Sequence, residues 1–361
     1  RVHESVQLGA LLMLVGGTSF VSSQLIPRVP SLVIWLNDWL YQDHMQIRFG
    51  TSLLGAFAVM LIPCIFLGFA FPVASQVRAQ LVQRFGASVG DTLGLNTLGS
   101  ITGSLAAGFL LIPWLGLQGG MVLASSLAFG YGAVVLVAAL GSRASWGRAG
   151  LGATALAALL LVIVAPRVAP SWDVERFATF KHDRIQMYYE RADGRRPAPP
   201  KRTRVLYYEE GRSSTVAVVD AALGALQQRY IAVNGKVVAS EGGRDMEVQL
   251  LLGHVPVLLH PNPRTVLVIG FGAGVTLGSV AAHEGIEELT LVEIEPAVLA
   301  AGSLFAHVNE DVLSDPRLEV IIQDGRNFVK TTERTFDVIT ADPVHPWAAG
   351  SAYLYTTEYY A

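Results

Sequence analysis

The run Gly270-Phe-Gly272-Ala-Gly274 closes an apolar stretch. Glycines there let the backbone approach a ligand at a helix N-terminus, where unpaired N–H groups and the helix dipole favour polar or negative groups. The dinucleotide spacing G-x-G-x-x-G would put its third glycine at position 275, which is Val275; G-x-G-x-G is common instead in nucleoside-binding sheets of methyltransferase type. Nineteen residues after Gly274 stands Glu293, placed to accept hydrogen bonds from both hydroxyls of a ribose. Asp324-Gly325 offers a carboxylate to an adenine amino group. Asp342 stands at a fourth strand end, where ligands of open α/β sheets bind. Each acid alone also reads as a helix cap or a solvated loop residue, but four sites at four successive strand ends point to a ligand site.

Those positions need a sheet to gather them. Apolar runs at Arg264 to Gly270, Leu289 to Glu293, Leu318 to Ile322 and Phe336 to Ala341 alternate with helical stretches at 275–284 and 296–307, the βαβ rhythm of a doubly wound parallel sheet. A helix over 244–259, ended by Pro261 and Pro263, precedes them. Upstream, Val205 to Tyr208, Thr215 to Asp220 and Tyr230 to Val233 read as antiparallel strands. The last is followed by Asn234-Gly235, a type I′ hairpin signal.

The front of the chain is different. Overall 52% of residues are hydrophobic and 15% charged, against about a quarter charged in ordinary soluble proteins. Residues 1–168 hold 8 Lys and Arg and 4 Asp and Glu, which gives net charges of +4 before and −7 after position 168. No basic field suited to a nucleic-acid backbone results. Five segments, near 5–26, 49–72, 92–113, 120–140 and 150–166, are long and apolar enough to span a bilayer. Small residues at Gly94, Gly99, Gly103 and Ala107, with Asn96 and Thr97, predict that the third packs closely and hydrogen-bonds across a helix contact. The stretch from Trp35 to His44 carries interfacial aromatics beside Asp38 and Asp43. Arginines and lysines divide five against six between the two sides, so they set no orientation.

The fold expected is therefore a multi-helix transmembrane domain (1–168), a linker (169–202), a small antiparallel β domain (203–243) and a Rossmann-like α/β domain of S-adenosylmethionine methyltransferase type (244–361), C-terminally incomplete. One cysteine, Cys64, excludes an intrachain disulfide or a cysteine cluster. The eight histidines show none of the usual zinc spacings, so no metal is expected.

Asn234-Gly-Lys, Leu252-Gly-His254-Val-Pro256, His260-Pro-Asn-Pro263, the glycine loop, Leu291-Val-Glu293-Ile, Asp315-Pro-Arg317, Asp324-Gly-Arg326, Phe336-Asp-Val-Ile339 and the run from Leu354 to Tyr360 occur in order. Together they resemble the spermidine synthase (polyamine aminopropyltransferase) family, and most closely its bacterial membrane-fused branch, in which a multi-helix domain precedes the synthase-like domain. The resemblance covers about 203–360, with Asn96-Thr-Leu-Gly-Ser100 extending it into the helical half. It implies that Gly270, Gly272, Gly274 and Gly325 line a nucleoside site, that Glu293 holds the ribose and Asp324 the adenine, and that Asp342 is the catalytic acid. The co-substrate implied is decarboxylated S-adenosylmethionine or S-adenosylmethionine. A multi-pass protein of the bacterial inner membrane is implied, with its soluble domain cytoplasmic, where such nucleosides are made.

Departures from the family pattern bear on the acceptor. The family's glycine-loop Asp is Ala273, the second Asp of its strand-four motif is His345, and Val248-Gln249 stands for its Tyr-His pair. An amine other than putrescine is therefore the expected acceptor. His254 is either a substrate-facing wall residue or a packed helix histidine, and His345 is read as substrate-binding. Tyr353, Tyr355, Tyr359 and Tyr360 form an aromatic wall or a helix core. A methyltransferase using the same pocket, and a transporter or sensor with a regulatory nucleoside domain, stay open beside aminopropyl transfer. So does assembly into a homo-oligomer.

Overall fold

A computed structural model describes residues 2–40, 45–83, 85–141, 147–174, 203–211, 213–223, 226–341 and 351–360. The chain divides into two compact units, Arg1–Asp173 and Val174–Ala361.

The first unit is helical: α1 (Val2–Leu25), α2 (Val29–Leu40), α3 (Met45–Val82), α4 (Phe85–Ala106), α5 (Ile112–Gly141) and α6 (Gly147–Val168). All five segments expected to be apolar helices are helical. The run Gly86–Gly141 reads as one stretch of 56 residues, about 84 Å at 1.5 Å per residue and far more than one bilayer crossing needs. Gly116, at φ 70° and ψ 173°, breaks it, which restores the two segments expected on either side of Pro113 and Gly116. The aromatic stretch after Trp35 is helical through Leu40, and residues 41–44 lie outside the described residues.

Close helix packing falls elsewhere than expected. A Cβ on Gly16 would lie 2.4 Å from the Phe129 nitrogen, and one on Gly132 would lie 2.6 Å from the Met13 nitrogen. The tight contact is therefore α1 against α5, where missing side chains let the two backbones meet. On α4, by contrast, a Cβ added to Gly94, Gly99 or Gly103 meets nothing within 4 Å. Its Thr97 and Ser100 hydroxyls donate to Leu93 and Asn96 carbonyls of their own helix, at 2.9 and 2.8 Å. Small residues permit approach; the arrangement of the bundle decides which helices use it. Beyond α6, the Gln118 side chain donates to the Pro170 carbonyl and accepts the Trp172 amide at 2.9 Å, fastening the exit from α6 beside the Gly116 break.

The second unit begins with an antiparallel sheet in the order β1 (Thr203–Glu210), β2 (Thr215–Leu223), β3 (Leu226–Val233), β4 (Lys236–Ser240). Asn234 (φ 51°) and Gly235 (φ 75°) form its last turn, both left-handed as a type I′ hairpin requires. Helix α7 (Gly243–Leu259) leads to the parallel sheet, built from β5 (Thr265–Ile269), β6 (Glu288–Glu293), β7 (Leu318–Ile322) and β8 (Val338–Ala341). Between them come α8 (Val275–Ala281), α9 (Pro296–Ala301), the single turn α10 (Ala306–Asn309) and α11 (Gly325–Thr331). The strand order is β7-β6-β5-β8. The chain moves outward from β5 through β6 and β7 and then returns to the other side of β5, so the switch point lies between β5 and β8. Ligands of such sheets bind at the carboxyl ends of those strands. Fully buried Val266, Leu267, Val268, Leu291 and Phe305 make the core, the near-continuous apolar strands of a sheet covered on both faces.

Candidate nucleoside site

Strand β5 is buried along most of its length and must end where its apolar run ends. The chain then turns through Gly270, Gly272 and Gly274 at φ 86°, 55° and 80°, a region that L side chains enter only at a cost of about 1–2 kcal/mol per residue. Gly274 opens α8. A Cβ there would lie 2.5 Å from Phe271 Cζ and 2.8 Å from Asn309 Nδ2, whereas one on Gly270 meets nothing within 4 Å. Gly274 is thus required by its neighbours, and Gly270 leaves open backbone at the switch point.

Glu293 ends β6 and is buried. Its Oε2 accepts the Phe271 N–H at 2.8 Å and its Oε1 the Glu295 N–H at 2.9 Å. Burial raises its pKa, against the opposing pull of the N–H donors of Phe271, Glu295 and Ile294. The Phe271 and Glu295 bonds fall on different oxygens, so the group can hold the loop and still turn both oxygens toward the hydroxyls of a ribose. Asp324 caps α11, its Oδ1 accepting the Asn327 N–H at 2.8 Å. The cap reading of this residue is realised, and the carboxylate's second oxygen is not engaged by that bond. Gly325 lies so close to β5 that a Cβ would stand 2.4 Å from Ile269 Cγ2. That approach draws the β7–α11 connection toward the glycine loop.

The structure thus brings Gly270, Gly272, Gly274, Glu293, Asp324 and Gly325 to one edge of the sheet. Strand β8 reaches that edge at Ala341, in register with Ile269. Asp342 and His345 lie outside the described residues.

His254 is placed elsewhere. Its Nδ1 stands 2.9 Å from His283 Nε2, and the two rings meet edge to face. His283 follows α8, and the turn after it joins the start of β5 through the Glu287 N–H and the Arg264 carbonyl at 2.8 Å. The pair sits near the amino ends of the strands, the length of α8 or about 10 Å from the glycine loop. Helix α7 runs alongside α8 in the same direction, as the successive pairs Gln249–Thr276 and His254–His283 show. A residue five positions after Gln249 is therefore carried toward the amino ends of the strands, where His254 packs against His283 as the packed-histidine alternative expects. Burial lowers the His283 pKa, with His254 adding to the effect.

Among the tyrosines, Tyr359 packs against Leu267, Ile269, Val292 and Phe328, while Tyr353 is exposed and lies under the Arg326 guanidinium at 5.3 Å. Gln249, in the place of a family histidine, is buried and donates to the Ser240 and Asp245 carbonyls, where it ties α7 to β4.

Two residues at this edge are absent from the sequence-based set. Asn309, buried, donates from Nδ2 to the Ala273 carbonyl at 2.9 Å and the Gly302 carbonyl at 3.2 Å, bracing the glycine loop from behind. Glu295, only 2% exposed, caps α9 before Pro296, a helix-start signal legible in sequence. Its larger role, gripping the β1–β2 turn, has no local signature.

A parallel sheet with this switch point, glycine loop and acidic strand ends defines a Rossmann-type domain. Residues 246–361 match the Spermine/spermidine synthase domain, and polyamine aminopropyltransferases, bacterial ones included, are homologues over part of the chain. The polyamine aminopropyltransferase of Thermotoga petrophila is 38% identical over 110 residues, 30% of this chain and 37% of that protein. That of Shigella boydii is 35% identical over 158 residues, 43% of this chain and 53% of that protein. A crystal structure of spermidine synthase in complex with the transition-state analogue AdoDATO matches at 31% identity and a TM-score of 0.40, over 44% of this chain and 52% of that one. The chain spans about half the length, or less, of the curated relatives it matches.

Proposed function

We propose that this protein is a membrane-anchored aminopropyltransferase that takes decarboxylated S-adenosylmethionine as co-substrate and an amine other than putrescine as acceptor. The observation that carries the proposal is the Glu293 carboxylate, buried at the end of β6 and hydrogen-bonded to the glycine loop at Phe271. It supports a ribose held against open backbone at Gly270, in a domain whose homologues are polyamine aminopropyltransferases.

When bound, decarboxylated S-adenosylmethionine supplies an aminopropyl group activated by its sulfonium: the acceptor nitrogen forms a C–N bond, the C–S bond breaks and methylthioadenosine leaves as a neutral thioether. The chain's own residues hold and orient. Glu293 receives the ribose hydroxyls, Asp324 the adenine amino group, and Asp342 takes the proton that the attacking nitrogen sheds, since only a neutral amine is nucleophilic. A diamine carries two charges at neutral pH. With Ala273 and His345 standing where relatives hold carboxylates, two partners of a buried cation are missing, each worth roughly 2–5 kcal/mol. Their loss weakens a dication by about 10³-fold or more.

Four helical stretches, His3–Val33, Gly50–Val82, Gly86–Gly141 and Ala149–Val168, are long and apolar enough to cross a membrane. With the break at Gly116 they support a five-span anchor, and a cytosolic nucleoside supports a cytoplasmic catalytic unit. Calorimetry on the full chain with decarboxylated S-adenosylmethionine, methylthioadenosine and NAD tests the reading. The two adenosyl sulfur compounds should bind and NAD should not; preference for NAD overturns it.

A further inference from the structure

Glu293 and Glu295 are linked in series. The Glu295 N–H donates to Glu293 Oε1 at 2.9 Å, and Glu295 Oε2 accepts the N–H groups of Ser213 and Ser214 at 3.0 and 3.1 Å and their hydroxyls at 2.9 and 3.3 Å. Its other oxygen accepts the Ala297 N–H at 3.3 Å. The Gly211 N–H closes the turn on the Ser214 carbonyl at 2.9 Å. A Cβ on Gly211 would lie 2.3 Å from Glu295 Oε1, so the absence of a side chain there is what lets the turn come down on the carboxylate.

A helix cap alone needs one N–H. Here one buried carboxylate joins two sheets that are separate in backbone hydrogen bonding, and it does so two residues from the group expected to hold the ribose. We propose that Glu295 is a positioning residue: it anchors the β1–β2 turn to the end of β6 and thereby fixes the Glu293 carboxylate for a nucleoside diol. The proposal rests on the nucleoside reading of Glu293. If the turn loosens, the Glu295 backbone is released, Glu293 Oε1 loses a fixed donor, and the two oxygens no longer present a preset pair of acceptors. In return, a ribose bound to Glu293 stiffens the turn, since a ligand tightens whatever its own binding requires to be ordered.

The test is residue-resolved amide exchange on the full chain in detergent, with and without methylthioadenosine. Binding should slow exchange at Phe271 and also at Ser213 and Ser214. Calorimetry on Glu295→Gln, and on Gly211→Ala, whose added methyl would force the carboxylate and the turn apart, should show methylthioadenosine bound roughly tenfold more weakly, the scale of one charge-assisted hydrogen bond. Protection at Phe271 with none at Ser213 and Ser214 overturns the positioning role and leaves the nucleoside site standing, and this readout needs no variant to fold. Wild-type affinity in Glu295→Gln overturns it equally. Failure of the unaltered chain to bind methylthioadenosine overturns the nucleoside reading, and the positioning role falls with it.

Discussion

The carboxylate of Glu293 accepts the amide hydrogen of Phe271 at 2.8 Å. The residue expected to hold a ribose therefore also holds the loop on which the nucleoside would rest, and changing it disturbs both. Glu293→Ala should weaken methylthioadenosine binding by roughly 1.5–3 kcal/mol through lost charge-assisted hydrogen bonds. It also leaves the Phe271 and Glu295 N–H groups without an acceptor, which lowers stability by about 1–3 kcal/mol per buried donor. Calorimetry and denaturant unfolding on the same sample separate the two effects.

Burial raises the Glu293 pKa above the ordinary glutamate value of 4.5. Between that value and the raised one, the folded state keeps a proton that the unfolded chain has released, so this group's contribution to stability falls as pH rises through the window. Ribose binding runs the other way, because two hydroxyl donors favour the ionised carboxylate. Methylthioadenosine affinity should decline on acidification while an ordinary glutamate would still be fully charged. In Glu293→Gln the profile should be flat over the same range; a wild-type profile that is flat down to 4.5 would contradict the burial argument.

Gly270 and Gly274 share a left-handed backbone but not their surroundings. Gly270→Ala should cost only the backbone strain, about 1–2 kcal/mol, and should strongly reduce nucleoside binding by filling open space at the switch point. Gly274→Ala adds a collision with Phe271 and Asn309 and should destabilise the domain by several kcal/mol, on the order expected for overpacking plus strain. Thermal unfolding beside calorimetry distinguishes a blocked site from a broken one.

Asp342, as the assigned base, is tested by turnover with labelled decarboxylated S-adenosylmethionine and a panel of amines. Asp342→Asn should slow transfer by roughly 10²–10⁴ with little change in methylthioadenosine affinity, and acceptors of lower charge should outperform putrescine. Full turnover in Asp342→Asn removes the base assignment; putrescine as the best acceptor removes the charge argument.

In the helical unit, Gly16→Leu and Gly132→Leu should destabilise the bundle, because each added side chain would enter the backbone of the opposing helix. Gly99→Leu should be tolerated, since nothing lies within 4 Å of its Cβ direction. Thermal aggregation of the three variants in detergent reads this difference; equal loss in all three would place a partner against α4.

Much of this molecule is written in local pattern. Apolar alternation and the Asn234-Gly235 turn determined the antiparallel strands, and the βαβ rhythm with its glycine loop determined a parallel nucleoside-type sheet, because hydrophobic periodicity and left-handed backbone demand are properties of a few consecutive residues. Apolar length likewise determined the five long helical segments of the first half, though not α2. What the tertiary structure decided are contacts between segments distant in sequence. The small-residue stripe of α4 has the composition of a packing face, yet it is at glycines of α1 and α5 that two backbones come closest. His254 sits in a family motif, yet the parallel course of α7 and α8 carries it to His283 and away from the ligand edge. Asn309 and Glu295 are ordinary polar residues in sequence. They become braces of the site only because folding buries them beside Ala273 and Ser213, and a buried carboxylate or amide must find its hydrogen-bonding partners in whatever segment the fold brings against it.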